Sequence, residues 1–327
     1  MDRHFIHFET PELATMVTDT APPAGPEEVL IKVDHAGINR ADLLQRLGLY
    51  PPPEDASPIP GLEVAGQVVA VGGRCTALKL GDRVCALTHG GGYASHAIAR
   101  EDHCLALPDS LSTEQGAALP EALLTVWYNV MERGQLSAGE TVLIYGGSSG
   151  IGSIGIQMAA AVGANVISTA GSVARCDAVK ALGASFVANH REGSLTEQIT
   201  EAGYGGKVDV ILDIAGGDLM QANLDLAALD GRIVCIGVMR GMQSEINLAT
   251  LFMKRLTLTG STLRRLDTAE RARCFTAIRD RIWPQVIAGN IQPIVDTAYP
   301  LADVLEAHEH MRLGTHLGKL VLHCRMG

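Results

Sequence analysis

The 327-residue sequence is short of the features that would staple, target or anchor it. Its seven cysteines, at positions 75, 85, 104, 176, 235, 274 and 324, form no Cys-x-x-Cys pair, and their odd number leaves one over. A disulfide framework is therefore not expected, and a reducing, cytoplasmic setting is. The opening MDRHFIHFET lacks the apolar core of a signal peptide, and no apolar run approaches ~18 residues, so no membrane span is expected. Lys and Arg are also in deficit, 26 against 36 Asp and Glu, for a net charge of −10. That balance excludes a broad non-specific grip on nucleic-acid phosphates or anionic lipid. What remains is a globular chain, 47% hydrophobic and 19% charged. At ~100–200 residues per domain it is long enough for two.

The texture along the chain supports two. Through about residue 120, short β-rich runs such as EVLIKVDHAGIN, GLEVAGQVVAVG and GDRVCAL end on glycine or proline. One helical stretch, ADLLQRLGLY, is stopped by Pro51, Pro52 and Pro53. Beyond it, apolar strands alternate with helices: TVLIYGG, IGSIGIQMAAAVG, ANVISTAG, SVARCDAVKALG, SFVANH, VDVILDIAGG, GRIVCIGV and LTLTGSTL. Near-continuous apolar strands separated by helices predict a parallel sheet covered on both faces, wound by right-handed crossovers. After Gln292 the pattern returns to β with IVDTAYPL and GKLVLH. The expected fold is α/β: a doubly wound domain over residues 121–290, and a mostly β domain built from residues 1–120 and the tail 291–327.

Within the second part, Gly146, Gly147, Gly150 and Gly152 follow the strand TVLIY and open a helix. Glycines there permit a tight turn, close backbone approach to a pyrophosphate and close helix–strand contact, while the helix N-terminus favours an anion. Gly147, Ser149, Gly150, Ile151 and Gly152 are thus candidate dinucleotide-binding residues. A Gly-x-x-x-Gly-x-Gly spacing also occurs in short-chain dehydrogenases, but no tyrosine here is followed four residues on by the lysine they need. Next to the second strand, where an NAD enzyme places a carboxylate for the ribose 2′-hydroxyl, this chain has Gly171 and Ser172, with Arg175 three residues on. A serine donor, an arginine and His190 at the end of strand three suit a 2′-phosphate, so NADPH is the expected cofactor. Gly216, Gly237 and Val238 follow strands four and five at the carboxyl edge, where ligands collect in such sheets.

With this order established, the chain resembles the medium-chain dehydrogenase/reductase superfamily, and within it the zinc-free quinone oxidoreductases. The residues that carry the resemblance are NRADLLQRLGLYPPP, GLEVAGQVVAVG, GGGYA, ALPEALLTVWY, VLIYGGSSGIG, LDGRIVCIG and GKLVL, nearly end to end. The resemblance implies a GroES-like fold for the β domain and a Rossmann fold for the other. Zinc-dependent members carry a cysteine three residues before an aspartate and a histidine before a glutamate. Here Asn39 precedes Asp42 and Leu62 precedes Glu63. Leucine cannot ligate zinc and an amide is a poor ligand, so no metal is expected. His308 and His310, two apart on a helix, point to different sides and read as solvated.

Without a Lewis acid, the acceptor must be one that polarises itself, a quinone or an α,β-unsaturated ketone. The resemblance implies Asn39 and Tyr50 as hydrogen-bond donors, with Arg264 closing the cleft. It places Thr125 beside nicotinamide, and Gly318 and Lys319 near the cofactor. Asp42, Glu63 and Asp82 read as structural, and Cys235 as core. The leading expectation is an NADPH:quinone reductase. The rivals are an NADPH-dependent enone reductase, a non-enzymatic NADPH-binding redox sensor and a zinc alcohol dehydrogenase. Relatives pair through an edge strand, for which LTLTGSTL is the candidate, so a homodimer or tetramer is expected.

Overall fold

The computed structural model describes residues 1–325, which divide into two compact units. In chain order the strands are β1 (Asp2–Thr10), β2 (Leu13–Thr20), β3 (Glu28–Gly37), β4 (Glu63–Val71), β5 (Arg83–Leu87), β6 (His96–Arg100) and β7 (Cys104–Ala106). Then come β8 (Thr141–Ile144), β9 (Asn165–Ala170), β10 (Phe186–Asn189), β11 (Val208–Asp213), β12 (Ala227–Cys235) and β13 (Thr257–Gly260), and last β14 (Val295–Pro300) and β15 (Lys319–His323).

The first unit is the GroES-like domain. Besides the β1–β2 hairpin it holds a seven-stranded sheet in the order β14-β15-β3-β4-β5-β7, with β6 paired to β3. The tail enters this sheet antiparallel to β3, Val321 opposite Gly37 and Leu322 opposite Ala36. That register brings Lys319, first residue of β15, beside Ile38 and Asn39. Ile31, Val33, Val64, Val84, Leu320 and Leu322 fill the core, all 1% exposed or less. The sequence reading put residues 267–287 with the nucleotide domain, but they belong here. The helix Thr268–Arg281 buries Cys274, Phe275 and Ile278. Phe275 stacks on His103 at 5.7 Å, and Arg279 and Trp283 donate to the carbonyls of Cys104 and Ala106. A mostly charged helix surface hid that apolar stripe.

The second unit is the Rossmann domain. Its six parallel strands run β10-β9-β8-β11-β12-β13, which in unit numbering is 3-2-1-4-5-6. The order reverses between β8 and β11, so the turns after these strands flank the crevice where such sheets bind ligands. The expected LTLTGSTL strand is the edge strand β13. Among the described residues, no helix is long and apolar enough to cross a membrane.

Candidate active site

In the Rossmann unit the turn after β8 is built from sequence rules. Gly146 has a left-handed φ of 69°. Its N–H is accepted by Thr169 Oγ1 at 3.0 Å, and the Gly147 N–H by the Thr169 carbonyl at 2.9 Å. Ser149 caps the helix Gly150–Ala161, its hydroxyl accepting from Gly152 N at 3.0 Å. A Cβ on Gly152 would lie 2.2 Å from the Gly146 carbonyl oxygen, and one on Gly147 would lie 2.3 Å from Ser168 Oγ. Only glycine permits this closure. The Gly150 and Ile151 N–H groups lie in the first turn, ahead of any intrahelical acceptor, and the helix dipole adds positive potential there.

At the end of β9, Ser172 caps the helix Val173–Ala181 through Arg175 N. A Cβ on Gly171 would meet His190 Nε2 at 2.8 Å and Arg191 Nε at 3.6 Å, so both side chains pack over this glycine. The His190 imidazole is held below its ordinary pKa by burial first, then by the charges of Arg191, Arg175 and Arg240. The expected group of Ser172, Arg175 and His190 is brought together, and Arg191 and Arg240 join it. Arg240 is itself held by Asp218 through two 2.6 Å bonds. Sequence reasoning missed both arginines; the signal was a basic residue just past strand three and another just past strand five.

The turn after β11 is tied to the first turn by a buried relay. Asp213 accepts from Ala215 N and Gly216 N at 2.7 and 2.9 Å and from Asn223 Nδ2 at 2.9 Å. Tyr145, just before the glycine turn, donates to Asn223 Oδ1 at 2.7 Å. Gly216 packs on the backbone of Gly237, Val238 and Gly241, and a Cβ on Gly237 would lie 2.4 Å from the Ile214 carbonyl oxygen. These glycines serve loop-to-loop packing, and Val238 is 51% exposed beside them. Cys235, expected in the core, is only part-buried, its Sγ 3.9 Å from an Asp213 carboxylate oxygen. Thr125 is buried and its carbonyl accepts from Asn129. Arg264 lies partly exposed in the turn Leu263–Arg265 of this same unit.

The GroES-like unit holds a buried charge cluster. Asn39 caps the helix Arg40–Arg46, and its backbone N–H is accepted by Asp42 at 2.8 Å. Asn39 Nδ2 donates to Glu63 Oε1 at 2.9 Å, while Lys319 Nζ donates to Asn39 Oδ1 at 2.7 Å and to the Ile38 carbonyl at 3.2 Å, and pairs with Glu63. The second Glu63 oxygen accepts from Glu121 N at 3.0 Å. Asp42 and Glu63 are 0% exposed and Lys319 4%. Lys319 thus meets three acceptors inside this unit, and Asn39 is bonded through both its amide oxygen, to Lys319, and one amide hydrogen, to Glu63, so the two side chains set the cluster's geometry.

Burial pushes Asp42 up to about 6 against the opposing hydrogen bonds from Asn39 and Gly61. Glu121 is pushed up to about 8, by burial first and then by the Glu63 charge. Arg271, on the helix Thr268–Arg281, is buried within electrostatic range of Glu121, Asp55 and Tyr50, and bonds His89 at 3.1 Å. Neither Glu121 nor Arg271 was singled out from the sequence, because a lone Glu at a helix start reads as a capping charge. His308 is corrected: it is 0% exposed, bonded to Tyr93 OH at 3.0 Å, and burial lowers it to about 3. Among the described residues, no group of three or more His, Cys, Asp or Glu is placed to hold a metal ion.

Comparison with known proteins places this arrangement. A zinc-binding dehydrogenase family model matches residues 150–278, and an alcohol dehydrogenase GroES-like domain model matches residues 25–109. The chain is 33% identical over 321 residues to the quinone oxidoreductase of Mus musculus, covering 96% of this chain and 95% of that protein. It belongs to the quinone oxidoreductase family of the medium-chain dehydrogenase/reductase superfamily. The Escherichia coli quinone oxidoreductase solved with NADPH superposes with a TM-score of 0.85 at 31% identity, over 98% of this chain and 99% of that one. A mycocerosic acid synthase-like polyketide synthase from Mycobacterium tuberculosis is 34% identical over 93% of this chain, which spans only 14% of that protein's length. Within this quinone oxidoreductase fold, the Lys319 ammonium is paired with Glu63 and bonded to Asn39 in the buried carboxylate cluster.

Proposed function

We propose that the protein is a cytoplasmic, metal-independent NADPH:quinone reductase acting on small quinones. The observation that carries the cofactor is the set around Gly171: Ser172, Arg175, His190, Arg191 and Arg240, with no carboxylate on Gly171 or Ser172 to repel a 2′-phosphate. This donor set fits NADPH, as does a turn closed so tightly that only glycine fits. The Gly150 and Ile151 N–H groups would face the pyrophosphate. When bound, NADPH supplies hydride at nicotinamide C4. The chain's own residues bind it, orient the acceptor and manage the proton. Tyr50, on a loop stiffened by Pro51, Pro52 and Pro53, would donate to the acceptor oxygen, with Arg264 closing over the substrate and Thr125 against the nicotinamide.

Asn39 at a cysteine ligand's position and Leu62 at a histidine ligand's position support metal-independent chemistry, which suits an acceptor that needs only positioning and hydrogen bonds. Stopped-flow oxidation of NADPH by a small quinone and by an alkenal tests the reading. Quinone is expected to react faster; an alkenal reacting a hundredfold faster would replace quinone with enone reduction. We also propose a homodimer or tetramer through β13, where Leu258 and, nearby, Leu248, Phe252 and Met253 are exposed. Light scattering gives the mass directly.

A further inference from the structure

We propose that Glu121 is the proton donor of the reaction, delivering a carboxyl proton to the acceptor oxygen as hydride arrives. This rests on the reductase reading above. The cluster holds two wholly buried carboxylates, Asp42 on the helix Arg40–Arg46 and Glu63 on β4, against a single buried ammonium, Lys319 on β15. Glu121 opens the next helix, Pro120–Val126, with its N–H tied to Glu63 at 3.0 Å. That bond fixes its backbone beside an existing negative charge. Arg271, from the helix Thr268–Arg281, is the further cation in range, and it also serves Asp55, Asp267 and Tyr50.

A third carboxylate is therefore unfavourable here, and Glu121 keeps its proton through neutral pH, titrating near 8. Asp42 and Glu63 cannot reach an acceptor because they are 0% exposed, whereas Glu121 is partly open. Arg271 also lies within electrostatic range of Tyr50. The step balances. Hydride adds two electrons and one proton to the quinone, leaving an oxyanion. The carboxyl O–H of Glu121 breaks, a hydroquinone O–H forms, and the carboxylate is reprotonated from water.

The test pairs a titration with kinetics. In protein carrying ¹³C at the glutamate carboxyl, carbon NMR should show one glutamate titrating near pH 8 in the wild type and absent from Glu121→Gln. With whichever of quinone or alkenal the wild type reduces, Glu121→Gln should lower kcat about 10²-fold, the lower range for a positioned acid. It should also abolish the loss of activity above pH 8, with NADPH affinity kept. A wild type without any glutamate titrating above pH 7, or a variant retaining kcat within threefold and the same alkaline limb, overturns the proposal. A wild type that turns over no acceptor overturns the reductase reading and the proposal with it, an outcome distinct from an active wild type with an unaffected variant.

Discussion

Replacing Lys319 by methionine should destabilise the GroES-like unit more than any comparable surface lysine change. Methionine keeps the length and apolar stem but removes the charge, leaving Glu63 buried at 0% exposure without its cation and stripping donors from the Ile38 carbonyl and Asn39 Oδ1. Breaking a buried ion pair from one side costs about 3–5 kcal/mol, mostly the desolvation of the orphaned charge. Each acceptor left without a donor adds about 1–3 kcal/mol before relaxation. A loss of at least about 3 kcal/mol is expected. The two tryptophans, Trp127 and Trp283, fall in different units, so in a Trp127→Phe background urea unfolding followed by Trp283 fluorescence reads this unit alone. The companion variant Glu63→Gln tests the cause. Added to Lys319→Met it should recover part of the loss, because the uncompensated charge is gone. A loss under about 1 kcal/mol, or a double variant no better than the single, would show that the cluster is not held by this pair.

Three further outcomes follow from the same geometry. Arg191→Ala should weaken NADPH binding about 10–100-fold, the worth of one charge-assisted hydrogen bond, and leave NADH binding unchanged; parallel fluorescence titrations decide it, and equal losses for both cofactors refute the 2′-phosphate assignment. Gly152→Ala must push a methyl carbon into the Gly146 carbonyl at 2.2 Å, so it should cost NADPH binding tenfold or more while the circular dichroism of the sheet is kept. His308 is buried neutral with its pKa lowered to about 3 from 6.5, so its contribution is fully present above pH 6.5 and lost as pH falls toward 3. The slope amounts to about 5 kcal/mol at most, and His308→Gln, which retains a partner for Tyr93 OH, should flatten it in urea titrations between pH 7 and 4.

The sequence was legible where a rule is local. A glycine turn after an apolar strand, a serine cap before a helix and a β-rich tail each leave a signature within a dozen residues, and the parallel sheet and the polar group around Gly171 follow from them. It was illegible where partners meet across the chain. Lys319 lies far from Asn39 in sequence, and only the antiparallel β15–β3 register brings them together. A lysine in a Gly-Lys tail motif therefore gave no sign of the buried cluster that its ammonium joins. His308 misled for a related reason: helical spacing separates it from His310 but says nothing of Tyr93, whose hydroxyl meets it from a loop far earlier in the chain.

Charge in the GroES-like cluster supports the proposal that an amide and a leucine stand where zinc-dependent members of the superfamily carry ligands. A divalent ion brings two positive charges and bonds that offset the burial of nearby carboxylates. Here one ammonium does part of that work: it pairs with Glu63 and is bonded by Asn39, an amide with an acceptor for Lys319 and a donor for Glu63. A cysteine at position 39 would offer neither and, as a thiolate, would add negative charge. One ammonium compensates fewer carboxylates than a divalent ion would, and the shortfall falls on Asp42 and Glu121, both raised above the usual carboxylate range. A Lys319→Met protein should therefore show Glu121 titrating higher still, since that ammonium favours its ionised form. A Glu121 titration that stays put in Lys319→Met would break the electrostatic link between the two.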